Sequence, residues 1–211
     1  MKSVKFRMRS ITAVLLALLI MFPMVFGQIP DAYAADTVTL YHDKQYHYGK
    51  WSTGNLSVDG GEGTAFCVQP SKDTPPNGSY PYQLMRHDSE MRKVMYYLVG
   101  GNGYEDVTSK TLFSEYDYID IYVTSHVMLS WMWDGCKWSG DADEGIGSDF
   151  KAQIESLYAK IIKLPDPPDA FQTFVVEGSD GYQTVVGSWP LQNIEVTLQK
   201  RSAIPDFSDD N

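Results

Sequence analysis

The chain has 211 residues, 17 basic and 27 acidic side chains, a net charge of −10 and 43% apolar content. That balance argues against partners rich in phosphate, either nucleic acid or an anionic membrane surface. The 13% aromatic content speaks for a packed fold over disorder, and two cysteines permit at most one disulfide.

The first predicted element is an export signal over residues 1–34. Lys2, Lys5, Arg7 and Arg9 precede the apolar run "ITAVLLALLIMFPMVFG", and "AYAA" follows with Ala32 and Ala34 at small-residue positions. The run is too short for a membrane span and Pro23 interrupts it. Removing it takes four basic residues and one acidic residue, which moves the balance from −10 to −13. A mature module over residues 35–200 is expected, secreted or displayed on the cell wall, with 201–211 as a linker toward a further module.

From Thr37 to Val68 the pattern is β-like: "TVTLYH" alternates, and "GTAFCVQP" is an apolar run closed by Pro70. Ser71 to Tyr82 holds four turn formers and Pro81, and reads as a loop. A helix capped by Asp88 or Ser89 places Met91, Val94, Met95 and Leu98 on one face and stops at Gly100-Gly101. A second, over about 116–133, is expected to turn Ile119, Tyr122, Val123, His126, Leu129 and Trp133 inward. A third starts near Ser148, with Phe150, Ile154, Leu157 and Ile161 on one side. The tail returns to strands in "FQTFVVE", "YQTVVGSW" and "IEVTLQK". Strands, about three helices, then strands predict an α+β fold.

The chemistry on offer is limited. His42 and His47, with Asp43, are too loosely spaced for a ligand set. Asp141, Asp143 and Glu144 lie in a glycine-containing acidic loop without the full spacing of a calcium loop. "GGNG" at Gly100–Gly103 follows a helix where a phosphate cradle would open one. No metal and no cofactor is therefore expected. Cys67 remains, as half of a disulfide with Cys136, as a buried small residue, or as a nucleophile beside His126. Asp120 or Asp134 would then orient the imidazole. A Cys67–Cys136 bridge would need the chain to fold back after Gly135, since ten helical residues span about 15 Å.

Three ordered stretches resemble the thioester domains of Gram-positive surface adhesins. "AFCVQPSKDTPPNGSY" resembles the family's cysteine segment and proline-rich loop. "MRKVMYYLVGGNGY" is similar to its short helix with a Gly-Gly turn, and "VTSHVMLSWMWDG" to the helix carrying Thr-Gln-x-Ala-Ile-Trp. The resemblance implies a surface adhesion module in which a cysteine and a glutamine form an internal thioester that a target amine opens. The cysteine carries over to Cys67, whereas His126, or Ser125 if the alignment slides by one, stands where the motif has glutamine. Gln69 lies on the same strand about 7 Å away and is not favoured as a replacement. "LQKRSAIPDFSDDN" resembles the lead into Cna-B or SpaA-type pilin modules.

The expectation is an exported adhesion or binding module, acidic, without a standard Cys-Gln thioester, reading first as a binder rather than an enzyme. Its partner would be a host or neighbouring-cell surface protein or glycan. The alternatives are a Cys67/His126-dependent hydrolase or acyltransferase, and a spacer stapled by Cys67–Cys136.

Overall fold

The structure, a computed structural model, describes residues 36–191 apart from positions 50, 144 and 180. Seven strands form one sheet: β1 Thr37–Tyr48, β2 Trp51–Val58, β3 Gly63–Cys67, β4 Gly78–Pro81, β5 Gln83–Leu84, β6 Gln172–Val176 and β7 Val185–Trp189. Their order is β4-β1-β2-β3-β7-β6-β5 and every paired ladder is antiparallel. Four helices lie between β5 and β6: α1 Glu90–Tyr97, α2 Ser109–Thr111, α3 Tyr118–Trp133 and α4 Ser148–Ile161. A single π-turn, Tyr104–Thr108, runs directly into α2. The architecture is α+β, as the order of elements predicts.

Two apolar layers sandwich the sheet. Phe66, Val68 and Val186 point toward the helices and join Val94, Leu98, Tyr122, Met128 and Ile154. Ala65, Cys67, Leu56, Val58, Phe174 and Val185 point the other way. Strand alternation explains the split, since neighbours along a strand face opposite sides. In β1, Val38 and Leu40 belong to the outer layer while Tyr48 belongs to the helical one. These are all even-numbered, and a bulge between His42 and Gln45 supplies the extra residue that reverses the phase.

The sequence signals for α1 and α4 match these helices closely. Ser89 is the N-cap of α1, and Val94 and Met95 are buried; Ile154, Leu157 and Ile161 are buried in α4. Gly100 closes the first helix at φ +88°, and a β-carbon there would meet the Thr64 side chain at 2.2 Å. The stripe expected for α3 is corrected. Ile119 and Trp133 are 48% and 38% exposed, while every residue from Ile121 to Trp131 is buried. This helix is covered on all sides, between sheet and α4, so burial follows depth along the helix instead of one face.

The expected loop over Ser71–Tyr82 is also corrected at its end. Gly78–Pro81 forms β4, pairing Val38 with Tyr80 and Leu40 with Gly78. It is an edge strand, where a proline removes no ladder bond. The run "IEVTLQK", the tail beyond it and the export signal lie outside the described residues. Among the described residues no helix is long and apolar enough to cross a membrane.

Candidate functional site

Cys67 ends β3, faces Val185 across the ladder and has no exposed surface. Its thiol is hydrogen-bonded to the side chain of Thr74, and burial pushes its pKa up to about 12, the Thr74 bond acting against that rise. Cys136, exposed beyond the end of α3, is a free thiol, as is Cys67. The bridge between them is therefore not made. Cys67 lies in the outer layer among strand residues, while Cys136 lies near Tyr158 of α4.

Thr74 comes from the loop that leaves β3 and crosses the outer face. The loop is anchored to the opposite strand by backbone bonds: Asp73 N–H donates to Gly181 O at 3.1 Å, and Gln183 N–H to Asp73 O at 2.9 Å. Asn77 Oδ1 accepts from His42 N–H at 2.8 Å and ties the far end of the loop to β1.

Two glutamines meet just past the end of β3. The Gln183 side chain is 2% exposed, and its Oε1 accepts from Gln69 N–H at 3.1 Å. Gln69 Oε1 accepts from Thr184 N–H at 3.1 Å and from Lys72 Nζ at 2.9 Å. Because Cys67 pairs with Val185, Gln183 is the diagonal cross-strand neighbour of the cysteine. Diagonal pairs lie about 7–8 Å apart at Cα, within reach of long side chains.

His126 is fully buried on the other side of the sheet. Its Nε2 is 2.7 Å from Tyr48 Oη and its Nδ1 is 3.2 Å from Thr53 Oγ1. Burial lowers its pKa to about 4, and a bond to the Cys67 backbone works in the opposite direction. The ring is thus neutral near neutral pH, one nitrogen donating and the other accepting. The structure brings His126 to the backbone of Cys67 and not to its sulfur. Among the described residues no hydrogen bond joins thiol and imidazole. Ser125 Oγ donates to Ile121 O within the helix at 2.8 Å.

Asp120 and Asp134 do not orient the ring, whose partners are Tyr48 and Thr53. Asp120 is exposed in the first turn of α3, its N–H donating to Asp117 Oδ1 at 2.9 Å. Asp134 accepts from Ala142 N–H at 3.3 Å. Asp143 of the acidic loop pairs with Lys151, and His42 and His47 belong to β1. Among the described residues no group of three or more acidic, histidine or cysteine side chains could hold a metal.

Residues 37–168 match the family described as "Thioester domain". The chain belongs to that family. A search of the curated proteins finds no match. Among solved structures, the N-terminal domain of the pilus tip adhesin Cpa from Streptococcus pyogenes is 12% identical. That comparison covers 72% of this chain and 92% of the other, at a TM-score of 0.46. The N-terminal thioester domain of a surface protein from Clostridium perfringens is 11% identical, covering 72% and 98%, at 0.43.

In this thioester domain the matched region ends before Gln183, and reasoning from the Thr-Gln motif alone passes over that residue. The available signal was the run Tyr182–Val186, a single carboxamide among strand-forming residues. Only the β3–β7 register places it diagonal to Cys67.

Proposed function

We propose that this thioester domain is an exported surface-adhesion module in which Cys67 and Gln183 form an internal thioester. The observation that carries the reading is the buried Gln183 carboxamide, diagonal to Cys67, its oxygen held by Gln69 N–H at 3.1 Å. The Cys67 sulfur attacks the Gln183 carbonyl carbon. The C–N bond breaks, the thiol proton passes to the departing nitrogen, and ammonia leaves. Gln69 N–H already points at the oxygen on which negative charge develops, which is where a fixed donor is most effective. Gln69 takes the supporting part: its N–H holds the Gln183 oxygen, and its own carboxamide oxygen fixes Thr184 N–H and Lys72.

The product is an activated acyl group in a water-poor site, and an amine on a surface protein opens it to a stable amide. His126, where the motif has glutamine, supports the Cys67 backbone from the helical side. In this reading the module runs over 35–200, residues 1–34 are removed on export, and 201–211 lead toward another module.

Intact-mass measurement of the mature protein tests the pair. The expected mass is short by one ammonia, rises by one methylamine on treatment with that amine, and is full in Cys67→Ala and Gln183→Ala. Gln69→Ala should keep the deficit. Full mass in the unmodified protein, with a titratable thiol, would reduce the function to noncovalent adhesion. A deficit lost in Gln69→Ala and kept in Gln183→Ala would move the acyl donor to Gln69.

A further inference from the structure

A cavity of about 460 Å³ opens on the outer face beside the acyl pair, lined by His42, Trp51, Lys72, Asp73, Thr74 and Gln183. Thr74, which bonds the Cys67 thiol, and Gln183 itself are among its walls. Gly54 of β2 lets the loop and β1 side chains approach the sheet here. It lies two residues from Leu56 as Cys67 lies two from Ala65, and Leu56 pairs with Ala65, so Gly54 sits beside the cysteine. A β-carbon on Gly54 would stand 3.2 Å from Thr74 Cγ2 and 3.5 Å from His42 Cβ. The side chains of His42 and Thr74 therefore lie together over Gly54, and Thr74 bonds the Cys67 thiol.

We propose that this cavity receives a lysine side chain and that His42 is the general base and acid for its acylation. The inference rests on the Cys67–Gln183 thioester. A lysine amine is protonated at neutral pH and cannot attack until a base removes a proton. The Asp73 carboxylate supplies a counter-charge for the ammonium at the wall.

The electron and proton count closes on His42. The ammonium first gives one proton to water by way of His42; the neutral amine nitrogen then bonds to the Gln183 carbonyl carbon while His42 takes a second proton. The S–C bond then breaks, and the imidazolium returns that proton to the Cys67 sulfur. A thiolate left in this buried position would be uncompensated, so delivery of the proton at departure is required. The other basic groups nearby are occupied: His126 by Tyr48 and Thr53, and Lys72 by Gln69. The charged groups lining the cavity with His42 are Lys72 and Asp73, both from the loop. The β2 residues Trp51 and Ser52, together with Gln183, add no titrating group. Asp43, next to His42 in β1, acts on Tyr118.

The experiment uses mature protein carrying the ammonia deficit and follows opening by methylamine as mass against time at fixed pH. His42→Ala and His42→Gln should retain the deficit yet open on the order of 100-fold more slowly. Added imidazole should restore part of the rate in His42→Ala only. Opening of both variants at the unmodified rate would overturn the assignment. So would a full mass confined to the His42 variants, which would place His42 in ring formation. A full mass in the unmodified protein would instead defeat the thioester reading itself.

Discussion

His126 is a neutral imidazole locked between a tyrosine and a threonine hydroxyl, and that has a consequence for acid stability. Its pKa falls from 6.5 in the open chain to about 4 in the fold. The unfolded state therefore binds the proton first as the pH drops. Stability from this group is present above pH 6.5 and is lost as the pH falls toward 4, up to about 3 kcal/mol over that window. We predict that His126→Gln flattens this acid limb in urea titrations between these pH values. Equal acid sensitivity in both proteins would refute it. Replacing His126 by phenylalanine should cost more, because Tyr48 and Thr53 would each lose a buried partner.

At the scale of elements, one hydroxyl holds the sheet open where the site lies. Tyr122 Oη of α3 accepts from Leu56 N–H at 3.0 Å and lies 2.9 Å from both Gly54 O and Ala65 O, to which it donates. It stands in for ladder bonds between β2 and β3 just short of Cys67. Tyr122→Phe strands these backbone groups, and the expected loss is about 1–3 kcal/mol. Amide exchange should accelerate at Leu56, while α1, which makes none of these bonds, stays protected. Uniform acceleration across both would show that the hydroxyl has no local role.

The same scale shows what the sequence could and could not convey. Helices α1 and α4 were legible because each buries one side, so their apolar spacing is a direct trace of their packing. Helix α3 was less so, being enclosed. The strand β4 hid inside a composition of turn residues, and only pairing with β1 makes it a strand. Cys67 stood out from its apolar run, but Gln183 did not, because its role depends on a register between strands far apart in sequence. His126 was found by motif position, yet its actual partners, Tyr48 and Thr53, come from strands that no local pattern connects to it.

For the molecule as a whole, the proposed thioester is a covalent tie between neighbouring strands β3 and β7 that closes a loop of more than a hundred residues. Such a closure restricts the unfolded chain, by up to about 4–5 kcal/mol on a chain-entropy argument. The methylamine-opened protein should accordingly unfold at lower temperature than the closed form, by several degrees in a calorimetric scan. Identical transitions for the two forms would mean that the tie contributes nothing to global stability.

In the proposed reaction, opening by a surface amine would leave the target bonded to Gln183, only a few residues before β7 ends at Trp189. A pull between that target and an anchor beyond Trp189 would run along the backbone of this one extended segment, about 20 Å long. The helices and the remaining strands would stand beside the line of tension. Grip would then depend on covalent bonds in series, and the domain could stay as easy to unfold as its chemistry requires without letting go.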